Sequence, residues 1–579
     1  MTAGNAEQPI RFEPEEACPP WIALLVGFQG AALMLAPTVL NVAIASRSSG
    51  LDDTYLTWSV FAAMLICAAM TAFQACQYRR FGAGHIVLTW PSASFIALMV
   101  AAVSLAGPST FASLLVVCGL IQMAFARWLP TLRRLVTPVV SGTVMMLIVV
   151  SVLPIAVDTV RDLPADAPPA AGPAIAGVTL LVSVIVTLRA GGRWRLVSPL
   201  LSILAGCAAA GAFGVLDGRR IADAGWFGVP AVPTLGFDLT PGREFWALLP
   251  SFAILTLVFG VKMISDGVMI QQASRRRPRA IDFRRIQGMV SLNGAGMLLA
   301  GAAGTLPPMP HSTYSLSLIN PTGVAARRVG VGVAAVTVVL AFFSKFTALL
   351  LTIPGPVMGA YLMLAMGVLF VTAWQTILRD GLTPRRLLVV ALASALGLGL
   401  HGHPVTRDVF GDELGRLLGD GVTIGAVVAI GMTLVLEATS TRRSRLEVTL
   451  DMASLRAIDE FLTRLASRLG WDAASALRLR SAGEETLASL LSREDDADGS
   501  DSPRLRIVAR PQGTTVELEF VATTRQENIE DQLAFLTSEA AVPNVDDLSL
   551  RLLRHYASGV RHQKFHGVEI VTVKIDRNA

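Results

Sequence analysis

The chain has 579 residues, of which 53% are hydrophobic and only 16% charged, with a formal net charge of +5. So few charges are low for a soluble protein of average composition, and the arginines sit beside apolar runs, so the net charge reports topology and not a nucleic-acid surface. A polar, acidic tail (1–20) that does not read as a signal peptide precedes a membrane region (21–438) and an ordinary polar region (446–579).

Fourteen apolar segments follow in order, over 21–45, 55–77, 84–103, 108–128, 136–156, 172–188, 196–216, 245–270, 286–304, 309–320, 329–351, 355–377, 386–402 and 421–438. Most approach the length that a bilayer requires, and the third and tenth are interrupted. Alternate connections carry the arginines, among them Arg79 and Arg80, Arg133 and Arg134, Arg275 to Arg277, and Arg327 and Arg328. The intervening loops are rich in Pro, Gly and Asp and poor in basic residues. The positive-inside rule then predicts a multi-pass protein of the plasma (inner) membrane with both termini in the cytoplasm. Cys67, Cys76, Cys118 and Cys207 lie in apolar runs without metal-ligand spacing and are expected as small core residues.

The interruptions are the informative part. Thr89–Phe95 and Pro307–Ser315 place proline and hydroxyl residues inside membrane-grade sequence, at corresponding points of the two halves. Lipid does not solvate broken backbone, so such segments are buried in protein or line a cavity. Discontinuous helices at the bilayer midplane are how secondary transporters build substrate sites. Free N–H groups and the positive ends of the following half-helices are expected to face a substrate there.

The block from Asp282 to Phe370 resembles the nucleobase–ascorbate transporter family, the xanthine and uracil permeases. It has a Gly-rich ninth segment, Thr313-Tyr314 at the tenth-segment break, and the turn Ile353 to Gly359 reading I-P-x-P-V-x-G. WPSASFIAL (90–98) is similar to the family's third segment, and Gln29 fits its Gln-His pair. The resemblance covers roughly 20–438. It implies a polytopic α-helical membrane protein with fourteen spans in two inverted seven-span repeats, core and gate domains, short strands in segments three and ten, and a homodimer.

Several positions depart from the family pattern. An ungapped alignment of 249–267 sets Val258 at the family's segment-eight glutamate and Lys262 at its titratable His or Asp. Ser315-Leu316-Ser317 occupy the binding position after the break, and Gly30 replaces the histidine. The substrate-binding candidates are Gln29, Ser92, Ser94, Phe95, Val258, His311, Ser312, Thr313, Tyr314, Ser315 and Leu316. Lys262 and Asp266 are the coupling candidates, since an ionisable group within a span is a functional hypothesis by default. Four residues apart, they either pair along one helical face or leave Asp266 to neutralise the nearby arginines. His311 is a substrate or proton ligand, or a core histidine bonded to broken backbone. The hydroxyls either bind substrate or cap half-helices. Lys345 is expected to be structural.

Beyond Glu437, runs 505–511, 514–523 and 568–576 read as strands and two amphipathic stretches as helices, giving a C-terminal cytoplasmic α/β domain over 446–579. Its order resembles the anti-sigma-factor type of GHKL ATPase domain, with Ser489 where the Mg²⁺-linked asparagine stands and no Gly-rich phosphate loop. A degenerate regulatory or dimerising domain is expected, with a nucleotide or a regulatory protein as its partner. No metal, cofactor or enzymatic constellation is implied. Three functions remain: a proton- or ion-coupled importer of nucleobase-like solutes (xanthine, uracil, urate), an anion transporter or exchanger of the same architecture, and a transporter-like sensor signalling through the tail.

Overall fold

An apolar run of about twenty residues meets a bilayer best as a helix, which satisfies its own backbone. The computed structural model describes residues 10–128, 137–164, 167–189, 198–216, 219–276, 281–378, 383–400, 408, 421–439, 444–491, 504–512, 515–522, 552–553, 555–565 and 568–577. The chain divides into two compact units, Met1–Arg276 with Gly288–Leu436, and Arg277–Gln287 with Glu437–Ala579.

Helices α1 (Pro20–Ser48) and α2 (Asp53–Cys76) lead to strand β1 (Thr89–Pro91), a 3-10 turn at Ala93–Phe95 and α3 (Ile96–Ala106). Then come α4 (Pro108–Arg127), α5 (Pro138–Val160), α6 (Ala171–Arg189), α7 (Ser198–Ala212), the short α8 (Arg219–Asp223) and α9 (Arg243–Ala273). After α10 (Phe283–Ala303) and strand β2 (Pro308–Pro310) follow α11 (Ser312–Thr322), α12 (Arg327–Phe342), α13 (Ser344–Leu351), α14 (Gly355–Leu378), α15 (Pro384–Gly399) and α16 (Gly421–Thr439). Among the described residues, eight helices are singly long and apolar enough to cross a membrane, nine if α12 and α13 count as one bent span. This is a helical membrane protein.

Segment eleven departs from the expected single helix over 329–351. Helices α12 and α13 meet at 82°, around Phe343, whose ψ of 78° leaves the helix. Its ring packs against Trp226, Phe227 and Phe346 at centroid distances of 5.8, 5.3 and 6.4 Å. Non-local aromatic packing overrides the continuous apolar pattern there.

The first unit contains two helix groups with few contacts between them. In one, α1, α2 and α12 pack on each other, and α9 packs on α4, α3 and α11. In the other, α5 lies along α14, α6 along α7 and α15 along α5, while Gly425 of α16 abuts Leu147 of α5 and the Ala393 carbonyl of α15. Small residues set the closest approaches: a Cβ on Gly27 of α1 would come 2.7 Å from the Gly332 carbonyl carbon of α12.

The tail segment from Ile10 to Pro19 is strapped to the first group. Arg11 N–H donates to the Gly323 carbonyl, and the Ala325 and Arg327 amides donate to the Phe12 and Pro14 carbonyls. Glu13 and Glu15 pair with Arg275, and Glu16 with Arg276, whose hydrogen bond holds the Glu16 carboxyl below the usual carboxylate range.

In the second unit β3 (Ser444–Thr449), β4 (Arg504–Gln512), β5 (Thr515–Ala522), β6 (Gly559–Phe565) and β7 (Val568–Asp576) form one antiparallel sheet, in the order β3-β4-β5-β7-β6. Helices α17 (Leu455–Arg468) and α18 (Ala473–Leu491) supply Ile458, Leu462, Leu479 and Leu487 to a core shared with Leu505, Ile507, Leu518 and Phe520. Strands β3 and β6 are additions to the three read from the sequence.

Candidate functional site

The two proline-broken stretches meet. Strands β1 and β2 pair antiparallel, with Thr89 opposite Pro310, Trp90 opposite Met309 and Pro91 opposite Pro308. Four prolines between 91 and 310 flank or form this pair and lack the N–H that a longer ladder needs, so it stops at three residues a side. Side chains and neighbouring amides complete the backbone. Ser92 N–H donates to the Pro307 carbonyl (3.0 Å) and His311 N–H to the Leu88 carbonyl (3.0 Å). Asn41 Nδ2 of α1 donates to the Pro91 carbonyl (2.9 Å). Ser315 Oγ accepts from Leu88 N–H (3.0 Å) and donates to the His311 carbonyl (2.8 Å), tying one break to the other. With Ser94 in the turn that opens α3 and His311 as N-cap of α11, both half-helices begin at this crossing.

Helix α9 brings charge to it. Lys262 Nζ lies 2.6 Å from Asp266 Oδ2, and Ser312 Oγ donates to Asp266 Oδ1 at 2.7 Å. The side chains of Lys262 and Asp266 are 13% and 3% exposed, so this is a buried ion pair and not a surface one. The alternative of Asp266 serving the arginine cluster does not hold; Arg275 and Arg276 pair with the acidic tail. An ammonium has three donors, and Asp266 takes one. Beside the pair, the His311 ring stacks on Trp90 at 3.9 Å with planes 6° apart, and Tyr314 meets Trp90 edge-on at 4.4 Å. His311 Nε2 is buried without a partner among the described residues.

The other candidates are dispersed. Ser94 and Phe95 are buried; Phe95 packs near Phe252 and Phe259, and Val258 sinks into the same apolar core at 1% exposure. Thr313 is exposed and Leu316 half-buried on α11. Gln29 opens onto a separate groove of about 630 Å³, shared with Arg11, Trp21, Leu33, Leu200 and Pro321. At Gly30 a Cβ would stand 2.6 Å from Val333 Cγ2 and 3.0 Å from Leu318 Cδ2, so the packing has no room for a histidine. Lys345 sits away from the crossing, its Nζ 4.7 Å from the Trp226 ring. The sequence reading missed Trp90 and Asn41. A lone asparagine in an apolar helix was the available signal for Asn41, and the Trp-Pro step at the break for Trp90.

Comparison with known proteins adds the following. Residues 22–406 match the family model Xan_ur_permease, described as the permease family. The chain is similar to the xanthine permease XanP of Escherichia coli (strain K12), 24% identical over 455 residues that cover 74% of this chain and 95% of XanP. It is also similar to the nucleobase transporter PlUacP of Paenibacillus larvae, 27% identical over 427 residues, 71% of this chain and 94% of that protein. Among solved structures, the murine anion transporter Slc26a9 in its inward-facing state aligns with a TM-score of 0.51 at 14% identity, covering 76% of this chain and 72% of that one. That likeness is one of fold.

Proposed function

Because the chain belongs to this permease family, we propose that it is a secondary transporter moving nucleobase-like solutes of the xanthine, uracil and urate class across the membrane. The observation that carries the reading is the crossing of the two broken segments beside a buried Lys262–Asp266–Ser312 cluster. A planar base fits there for three reasons. The stacked Trp90 and His311 rings offer a flat face. Two half-helix N-termini supply partial positive charge. The remaining Lys262 donors address a ring oxygen, anionic in oxidised purines. Lys262 and Asp266 are the coupling pair: a proton on Asp266 weakens its hold on both Lys262 and Ser312. The α1–α4/α9–α12 group acts as core and the α5–α7/α14–α16 group as gate, in fourteen spans with both termini cytoplasmic, as a homodimer.

The experiment is uptake of labelled xanthine, uracil and urate into proteoliposomes, with and without an inward proton gradient or an internal counter-anion. Uptake of at least one base, raised by the proton gradient, is expected. No uptake of any base removes the reading. Uptake that needs the counter-anion and ignores the gradient selects the exchanger, which the loss of the family's carboxylate at Val258 favours.

The second unit is proposed to be regulatory and not an ATPase. Ser489, on α18, offers a single buried hydroxyl with no partner among the described residues, where the resembled fold needs an asparagine for Mg²⁺. The purified full chain should release no phosphate from Mg-ATP above background; steady turnover overturns this.

A further inference from the structure

A second cavity of about 260 Å³ lies between the two helix groups, lined by Ser94, Leu98, Ser151, Ser251, Leu255 and Val422 among others. It is just below the range of drug-sized ligand pockets, roughly 300–1,000 Å³, and so suits one fused ring system. Its walls are mostly aliphatic, and its few polar groups are hydroxyls. Ser151 Oγ is occupied by the Leu147 carbonyl at 3.1 Å. Ser94 is 5% exposed and has no hydrogen-bond partner among the described residues, although it lines the cavity. It stands three residues after Pro91, which pairs with Pro308 at the crossing. Through Ser94 one wall of the cavity continues along the chain into strand β1 of the crossing.

One contact spans its rim. The hydroxyls of Ser251 on α9 and Thr423 on α16 are hydrogen-bonded, both residues being 3% exposed. Helix α9 belongs to the group that holds the crossing, whereas α16 packs on α5 and α15 of the other. Ser251 precedes Lys262 by eleven residues on one helix, about 16 Å at 1.5 Å per residue. Moving one group against the other therefore breaks this bond without disturbing the ion pair.

We propose that this cavity is an antechamber, a second binding site for the same flat base on its way to the crossing, and that the Ser251–Thr423 hydrogen bond is the latch that closes it. The inference rests on the transport reading above. The connection before α9 carries Arg219 and Arg220 against six arginines between Arg275 and Arg285 after it, and by the positive-inside rule we place the antechamber toward the outer face.

The test uses the full chain in proteoliposomes with labelled xanthine, uracil and urate. Oxidation of a Ser251→Cys/Thr423→Cys double variant should cut uptake at least tenfold and reduction restore it, with neither single variant responding to oxidant. A disulfide that fails to form, or a cross-linked protein that transports at the reduced rate, overturns the latch. If the double variant does not fold, Ser151→Cys still decides the antechamber. A membrane-impermeant thiol reagent should label it above the wild-type background, where Cys76 is exposed, and the transported base should slow labelling at least threefold. Labelling indifferent to the base overturns the antechamber. A wild-type chain that takes up no base instead removes the transport reading, and the antechamber with it, whatever the cross-link does.

Discussion

Lys262→Ala is expected to lower uptake at least about 100-fold, the rate equivalent of roughly 3 kcal/mol, and to lower the thermal midpoint as well, since breaking a buried ion pair costs about 3–5 kcal/mol of stability. The loss has two parts. Asp266, 3% exposed, would keep a buried charge with only Ser312 to answer it. The donors aimed at substrate would also go. His311→Ala should cost less, about tenfold, because it removes the stacking face on Trp90 while leaving the pair intact. Lys345→Ala should change uptake less than about threefold; its ammonium rests on Trp226, and such a contact is worth about 0.5–1 kcal/mol at an exposed site. The measurement is uptake per milligram of monodisperse protein, so that misfolded material is not counted. Equal transport in all three variants would take Lys262 and His311 out of the mechanism. Lys262→Glu adds a direction: uptake of an anionic base should collapse further than with alanine, because a second carboxylate beside Asp266 repels it.

Gly27→Leu should abolish the folded protein and not merely slow it. The added Cβ would lie 2.7 Å from the Gly332 carbonyl carbon and 2.9 Å from the Val333 nitrogen, both backbone atoms that no rotamer change can move. Overpacking typically costs about 1–3 kcal/mol when side chains can shift, so a backbone clash belongs at or above the top of that range. The helices concerned also hold the site: Gly30 of α1 packs against Val333 of α12 and Leu318 of α11. Forcing α1 from α12 therefore loosens the half-helix that carries His311 and Ser312. Size-exclusion profile and thermal midpoint read the effect. Gly367→Leu is the control, since nothing lies within 4 Å of a Cβ there. Comparable profiles for the two variants would mean that the α1–α12 approach does not limit folding.

The sequence by itself determined the membrane-spanning class and the location of both breaks. Each follows from local chemistry: apolar runs of bilayer length become helices, and proline with neighbouring hydroxyls stops them where lipid cannot solvate the gap. The family was legible in Thr313-Tyr314 and the Ile353–Gly359 turn for the same reason, being short and contiguous. Only the tertiary structure decided which residues answer which. It paired Trp90 with Met309 across more than two hundred residues, gave Asp266 to Lys262 and Ser312 and not to the arginines, left Val258 in apolar core and Gln29 in its own groove, and bent segment eleven at Phe343. Those outcomes depend on contacts between segments far apart in the chain, and the spacing within a single helix holds no information about what another helix will bring against it.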